Sequence, residues 1–212
     1  PGAAAKLGVR TQPAGAAAGL PLSSQPVIEV QDAAGNLVSS NVVVTATIAT
    51  GQGTITNSTA TATAGVATFG GLTLTGLAGD RTLNFSAPSL SSVISIGLPL
   101  IAGVASQVVI RAQPLGAISG QPLFGQPIVD IRDAAGNVVT GFAGTVIVTV
   151  ATGAGTLSGA TSNAASGVAT FSTLTVNGPP GSIALSFTTF GLPTVTSQPF
   201  TVAATALGLR LR

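Results

Sequence analysis

The stretch that decides the fold reads PVIEVQDAAGNLV at residues 26–38 and returns as PIVDIRDAAGNVV at residues 127–139. The copies lie 101 positions apart and share the pentapeptide Asp-Ala-Ala-Gly-Asn. Each copy alternates apolar and polar residues, breaks at Gly-Asn and resumes with two apolar residues. That pattern is typical of a strand, a tight turn and a second strand. The repeat therefore predicts two β units of about 100 residues each.

The same spacing extends through most of the chain. Residues 6–13 match residues 107–114, and the segment Gly-Val-Ala-Thr-Phe occurs at residues 65–69 and again at 167–171, after one inserted residue. Turn signals recur every 8–12 residues or so and no stretch has helical periodicity, which predicts about seven short strands per unit and a β-sandwich for each. We expect an all-β protein with one sandwich at residues 1–103 and a second at 104–204, joined end to end near residues 103–106.

Phenylalanine is the only aromatic residue type in the chain. Phe69, Phe85, Phe171 and Phe187 fall at matching positions in the two copies, so we expect them to be the large core residues of each unit. The apolar run at residues 93–110 contains one proline, Pro99, and two glycines, Gly97 and Gly103, and it is interpreted as last strand, linker and first strand. A membrane span is not expected there.

Composition excludes several classes of function. Charged residues make up 6% of the chain and the formal net charge is +2, so a basic patch for nucleic acid cannot be assembled. Hydrophobic residues make up 45%, which argues against disorder. A surface of Thr, Ser, Gly and Ala favours association with copies of the same chain, or it carries glycans.

The chain offers no catalytic constellation. It has no His and no Cys, which excludes Ser-His-Asp and Cys-His arrangements, disulfides and thiolate metal sites. Four of its five carboxylates occur as pairs three residues apart, Glu29 with Asp32 and Asp130 with Asp133. Residues three apart on a regular strand point to opposite faces, so neither pair suits glycosidase chemistry. We predict a protein that is not an enzyme and needs no cofactor.

The two turn aspartates, Asp32 and Asp133, have two interpretations. In the favoured one, each carboxylate accepts backbone N–H bonds within its turn, and the following Gly or Asn takes a positive φ. In the other, they form weak Ca²⁺ sites with Glu29 and Asp130, although two carboxylates are few for calcium.

Other polar residues give less specific signals. Arg10, Arg111 and Arg210 recur at one strand position, where they either pair with the hairpin carboxylates or cover a domain junction. Asn57 and Asn84 begin N-glycosylation triplets that the second unit does not repeat.

The repeat continues beyond the second unit. Residues 207–210, Leu-Gly-Leu-Arg, match residues 7–10, Leu-Gly-Val-Arg, of the first strand. A lone apolar strand cannot bury itself. We therefore expect residues 205–212 to be the first strand of a further unit, or a strand donated to a neighbouring molecule through Leu207, Leu209, Arg210 and Leu211.

The Asp-Ala-Ala-Gly-Asn turn, followed by Gly-Val-Ala-Thr-Phe and then by Leu-Thr-Leu or Leu-Thr-Val, resembles the immunoglobulin-like repeats of invasin- and intimin-type bacterial surface proteins and of long repeat proteins of environmental bacteria. The resemblance implies an exported, non-enzymatic rod of immunoglobulin-like domains on a cell surface. We predict an extracellular stalk or filament subunit that assembles end to end with copies of itself. The alternative is an adhesin module that binds a glycan or a protein through loops at one sandwich end.

Overall fold

The computed structural model describes residues 1–205 as strands and turns, with no helix in that range. Accordingly, no helical segment among these residues could cross a membrane. The chain divides into two compact units, unit 1 at Pro1–Val104 and unit 2 beginning at Ala105. The predicted extra strand, with Leu207, Leu209, Arg210 and Leu211, lies outside the described residues.

Each unit contains eleven strands rather than about seven, because several continuous segments are divided by turns into pieces of two or three residues. The strands of unit 1 are β1 (Lys6–Thr11), β2 (Ala16–Ala17), β3 (Val27–Gln31), β4 (Val43–Thr50), β5 (Thr54–Thr56), β6 (Thr59–Thr61), β7 (Val66–Thr68), β8 (Thr73–Thr75), β9 (Gly79–Ser86), β10 (Val93–Ile94) and β11 (Leu98–Ile101). Those of unit 2 are β12 (Ala105–Ala112), β13 (Ala117–Ile118), β14 (Ile128–Asp133), β15 (Thr145–Thr152), β16 (Thr156–Ser158), β17 (Thr161–Asn163), β18 (Val168–Thr170), β19 (Thr175–Asn177), β20 (Gly181–Thr188), β21 (Val195–Thr196) and β22 (Phe200–Ala203). The apolar run at residues 93–110 is divided among β10, β11 and β12, as predicted.

Strand order identifies the architecture of each unit. In unit 1, a three-stranded sheet β1–β3–β7 accompanies a six-stranded sheet β2–β11–β9–β4–β6, in which β10 also pairs with β9. Unit 2 repeats this order as β12–β14–β18 and β13–β22–β20–β15–β17, with β21 on β20. In the immunoglobulin-like arrangement, one sheet contains strands A, B and E and the other contains strands C, F and G. In unit 1, β1, β3 and β7 correspond to A, B and E, and β4, β9 and β11 correspond to C, F and G. The predicted fold class, two tandem immunoglobulin-like sandwiches, is confirmed.

The core of each unit lies between its two sheets because apolar residues alternate along the strands. In β9, for example, Leu83 and Phe85 are fully buried while the residues between and beside them are more exposed. The ring centroids of Phe69 and Phe85 lie 5.5 Å apart in an edge-to-face contact, and those of Phe171 and Phe187 lie 5.9 Å apart in the same way. The predicted core phenylalanines are confirmed.

The repeated hairpin differs in detail from the sequence prediction. The Gly35 N–H bonds the Asp32 carbonyl at 3.0 Å, so the turn is centred on the two alanines and not on Gly-Asn. The second strand is reduced to one bridge, between Gln31 and Leu37, before the chain leaves the sheet. It stops there because strand β7 takes the pairing position beside β3.

Candidate functional site

The Asp-Ala-Ala-Gly-Asn turn of unit 1 is organised by the carboxylate of Asp32. Its Oδ1 accepts the backbone N–H of Ala34 at 3.0 Å and that of Asn36 at 2.9 Å. Its Oδ2 accepts the backbone N–H of Gly2 at 2.8 Å and the side-chain amide of Asn36 at 3.0 Å. These donors, with the Asn36 side-chain amide the strongest cause, hold the pKa of Asp32 well below its ordinary value.

The corresponding turn of unit 2 has the same internal bonds. Asp133 Oδ1 accepts the backbone N–H of Ala135 at 2.9 Å and that of Asn137 at 2.8 Å, and Oδ2 accepts the Asn137 side-chain amide at 2.9 Å. Gly35 and Gly136 adopt φ values of 94° and 91°, so glycine and not asparagine takes the left-handed position. The two aspartates thus cap their turns.

The other carboxylate of each hairpin takes part in ion pairs on the outer face of the three-stranded sheet. Glu29 lies 3.5 Å from Arg10 in unit 1. In unit 2 the carboxylate of Asp130 lies 3.4 Å from Arg111 and 2.9 Å from Arg132, and its side chain is only 1% exposed. Of the two roles considered for the recurring arginines, pairing with the hairpin carboxylates is therefore the one that Arg10 and Arg111 adopt.

The four calcium candidates do not form a joint site in this arrangement. Asp32 and Asp133 are occupied by N–H donors of their own turns, whereas Glu29 and Asp130 face arginines, which repel a cation. Within residues 1–205, no three acidic side chains come together in a group that could hold a metal ion. The geometry suits turn capping and ion pairing.

A shallow depression of about 470 Å³ lies beside the Asp32 turn in unit 1. It is lined by Gly2 and the following alanines on one side and by residues 32–34 on the other. Asp32 is its one ionisable side chain, and both oxygens of that carboxylate already accept hydrogen bonds. The depression therefore has no group placed to act as a general acid, a general base or a nucleophile.

The two glycosylation triplets occupy different environments. Asn57 is exposed after β5, with its side-chain amide donating to the Gly71 carbonyl at 2.8 Å. Asn84 lies in the middle of β9, half-buried between its strand partners Thr47 and Ile94. Asn57 is therefore the more accessible of the two acceptors.

One glutamine position and one serine position that the sequence analysis missed form the same bonds in both units. Gln25 donates to the Leu72 carbonyl at 3.3 Å and accepts the Leu72 N–H at 2.8 Å; Gln126 makes the same pair of bonds with Leu174, both at 3.0 Å. These residues connect the start of β3 or β14 to a distant loop. Because each glutamine recurs 101 positions later, the repeat itself carried the signal that could have identified them.

A serine performs a similar function near the last strand of each unit. Ser95 Oγ accepts the Leu83 N–H at 2.9 Å, and Ser197 Oγ accepts the Leu185 N–H at 3.0 Å. Each hydroxyl also donates to the carbonyl of the next residue, at 2.8 Å from Ser95 and 2.9 Å from Ser197. Both serines are 6% exposed, so these bonds satisfy buried backbone groups.

The units differ in some of their exposed apolar side chains. Unit 2 exposes Leu115 (57%), Phe124 (69%) and Phe190 (100%). The repeat places Ala14, Ser23 and Pro88 at the corresponding positions of unit 1. The turn, glutamine and serine bonds are therefore shared, whereas these three exposed apolar side chains are particular to unit 2.

The chain matches no protein-family profile and no curated protein. Among solved structures it is similar to the D0–D1 domains of intimin, at 15% identity over 94% of this chain and 98% of that chain, with a TM-score of 0.37. It is also similar to FdeC, described as an Escherichia coli adhesin, at 20% identity over 96% of this chain and 65% of that chain, with a TM-score of 0.46. It is also similar to a glycosyl hydrolase family 2 member from Bacteroides cellulosilyticus, at 10% identity with a TM-score of 0.40. That match covers 86% of this chain but only 23% of the hydrolase chain. Because these TM-scores are below 0.5, the fold assignment rests on the strand order given above.

Proposed function

We propose that this chain is a non-catalytic structural module of an extracellular surface stalk or filament. The observation that carries the proposal is the repetition of the internal polar contacts. The capped turn, the glutamine bonds and the serine bonds occur at the same place in both units. Each of them stabilises backbone, and none leaves a reactive group facing a cavity.

The charge distribution also supports a structural role. Asp32 and Asp133 are bonded within their turns, and the remaining hairpin carboxylates are paired with arginines. Arg81, which is 6% exposed, donates to the carbonyls of Leu77 and Asp80 at 2.6 and 2.9 Å. Little charge remains on the surface to keep copies of the chain apart, so lateral or end-to-end association meets weak electrostatic repulsion.

In the proposed assembly, residues 207–211 provide the first strand of a following unit, because they match the sequence of β1. That strand belongs either to the next unit of the same polypeptide or to a neighbouring copy. Strand addition supplies main-chain hydrogen bonds and buries alternate apolar side chains, here Leu207, Leu209 and Leu211.

The test compares the full chain with a version that ends at Thr205, which keeps the bond from the Thr205 hydroxyl to the Ser119 carbonyl. Light scattering and negative-stain electron microscopy would follow both proteins across a concentration series. We expect linear polymers from the full chain and none from the shortened one. Polymers of equal length from both would refute the strand-addition mechanism, and monomers from both would refute self-assembly of this chain.

An adhesin module is the second candidate, and the exposed aromatic side chains of unit 2 favour it. Phe124 and Phe190 lie in loops and are mostly or fully exposed, and aromatic residues are enriched at binding interfaces. The double variant Phe124→Ser and Phe190→Pro installs the residues of unit 1 at these positions. Loss of binding to a glycan array or to host matrix proteins in this variant, with polymerisation unchanged, would favour the adhesin function over the spacer function.

A further inference from the structure

We propose that the outer face of the larger sheet of unit 1 packs against the same face of a second copy of this chain. This inference deepens the stalk or filament function proposed above and rests on it, because that function places copies of the chain close together. Two features of unit 1 carry it: the distribution of charge and a stripe of exposed isoleucines that unit 2 lacks.

The charged side chains lie mainly on the three-stranded sheet of each unit or at the end of its hairpin. Those of unit 1 are Lys6, Arg10, Glu29 and Asp32, and those of unit 2 are Arg111, Asp130, Arg132 and Asp133. Among residues 1–205, the other two are Asp80 and Arg81 at the start of β9, and Arg81 is buried. The larger sheet of unit 1 therefore has one exposed charge, Asp80, at one end of its outer face.

The middle of this face consists of hydroxyl and amide side chains. In β4 and β9 the buried residues alternate with outward-facing ones, and the pairing places Thr45 opposite Ser86 and Thr47 opposite Asn84. These side chains are short and uncharged. The centre of the face therefore offers no charge that would repel a second copy and no long side chain that would hold it away.

An apolar stripe borders these residues along β10 and β11. Ile94 is 57% exposed, Ile96 and Ile101 are each 61% exposed, and Pro99 between them is also exposed. We call these four residues the isoleucine stripe. The residues of the same segment that face the core are Ser95, Leu98 and Leu100. The stripe therefore lies on the outer side of the sheet, where it contributes nothing to the core of its own unit.

Unit 2 shows that the fold does not require this stripe. The residues 102 positions later, in the same strands, are Thr196, Gln198, Thr201 and Ala203. The same architecture thus accepts polar or small residues at all four positions. Because a contiguous exposed apolar patch marks an interaction site, we infer that the stripe serves a contact outside its own unit.

The same face of a second copy is the partner that suits this surface. It is uncharged at its centre and presents a matching stripe, so isoleucine side chains are buried against isoleucine side chains. The outer face of unit 2 suits it less well, because Thr196 and Gln198 would lose water without gaining hydrogen-bond partners. A two-fold axis perpendicular to the strands places stripe on stripe and keeps the two Asp80 carboxylates at opposite ends of the contact.

The size of the face indicates a weak contact for a single pair. Five strands lie side by side in this sheet, and β4 and β9 have eight residues each. With about 4.8 Å between strands and about 3.3 Å per residue, the face measures roughly 500 Å². Two copies bury about 1,000 Å² in total, which is typical of transient complexes. Copies joined end to end would present the face repeatedly, so that many weak contacts hold neighbouring filaments together laterally.

The repeat supplies the variants for the test. The stripe variant Ile94→Thr, Ile96→Gln and Ile101→Ala installs the residues of unit 2 in unit 1. The control variant Leu115→Ala and Phe124→Ser also removes exposed apolar side chains, and it installs the residues of unit 1 in unit 2. The reverse variant Thr196→Ile, Gln198→Ile and Ala203→Ile gives unit 2 a stripe of its own. Circular dichroism checks that each variant is folded.

Sedimentation velocity of the full chain across a concentration series separates dimers from longer polymers by size. We expect dimers of the parent chain and of the control variant. In the stripe variant the dissociation constant of the dimer should rise by about tenfold or more, because buried isoleucine surface stabilises the parent dimer. The reverse variant should associate more strongly than the parent, which a general loss of stability cannot produce.

Three results would overturn the proposal: a parent chain that shows no dimer, equal dissociation constants for the parent and the stripe variant, or equal weakening by the control variant. Electron microscopy separates this contact from end-to-end assembly. Filaments of the stripe variant that no longer lie side by side would support the proposed face. Dimers without filaments in the parent would also support the face, while refuting the end-to-end assembly proposed above.

Discussion

Replacing Gln126 by alanine tests whether the repeated glutamine bonds stabilise the fold as the structure indicates. Gln126 donates to the carbonyls of Leu123 and Leu174, at 3.3 and 3.0 Å, and accepts the Leu174 N–H at 3.0 Å. Leu174 is fully buried, so water cannot replace the lost acceptor. Losing these bonds and leaving a buried N–H unpaired costs about 2–4 kcal/mol.

The assays are thermal unfolding and urea unfolding of the full chain, each followed by circular dichroism. Unit 2 has about 100 residues, for which each kcal/mol lowers the Tm by about 4–8 °C, so we expect the Tm of that unit to fall by roughly 10–25 °C. Unit 1 retains its own Gln25 bonds, so the transition of that unit provides an internal reference.

Gln121→Ala is the matched control, because Gln121 lies in the same connection and its side chain is exposed. We expect a change within about 0.5 kcal/mol for this variant. The reasoning is refuted if the Gln126 and Gln121 variants unfold at the same urea concentration, since the buried bonds would then contribute nothing measurable.

Three further predictions follow from single contacts. Phe187→Leu should destabilise unit 2 by about 1–3 kcal/mol, because the Phe187 ring is fully buried and its edge-to-face contact with Phe171 is lost. Denaturant unfolding would measure the change in the free energy of unfolding, and a change below about 0.5 kcal/mol would contradict the prediction. Gly53→Ala should prevent or strongly weaken folding of unit 1, because a Cβ would lie 2.2 Å from the Thr75 carbonyl oxygen. Gly136→Ala has open space for its Cβ, so it should cost only the strain of its positive φ. Equal Tm values for the two variants would be inconsistent with the structure. Because the pKa of Asp32 is lowered in the folded state, its ionised carboxylate stabilises the fold above the ordinary pKa of about 3.9, and this stabilisation is lost as the pH falls below that value. Asp32→Asn should therefore unfold at a lower urea concentration at pH 7, and its stability should fall less steeply between about pH 4 and 2. Parallel plots of stability against pH for the two proteins would disprove this role of Asp32.

Much of the fold could be predicted because the signal was duplicated. The hairpin and the strand pattern of unit 1 occur again in unit 2, and Phe69 and Phe171 lie in the same local sequence. A position that is apolar in both copies can therefore be distinguished from a chance alternation of apolar and polar residues. The turn aspartates could be assigned as caps because a short carboxylate in front of Ala-Ala-Gly reaches the N–H groups of its own turn. The additional bond from the Gly2 N–H to Asp32 joins residues 30 apart in the chain, and no local pattern predicts it.

The features that could not be predicted from the sequence depend on tertiary contacts. Alternation along β14 predicts that Asp130 faces solvent, and it does lie on the outer face of its sheet, yet it is 1% exposed because it is paired with Arg111 and Arg132. The bond from Gln113 to Gln198 joins residues 85 apart, and no local pattern indicates such a partner. The short second arm of the hairpin was missed for the same reason, since β7 competes for the edge of β3.

The central claim is that the chain is a structural module of a cell-surface stalk or filament. It is tested most directly by immunogold electron microscopy of the producing cells, with antibodies raised against unit 2. The account predicts gold particles outside the cell envelope, arranged along filaments or at a constant distance from the membrane. Gold particles confined to the cytoplasm would contradict it.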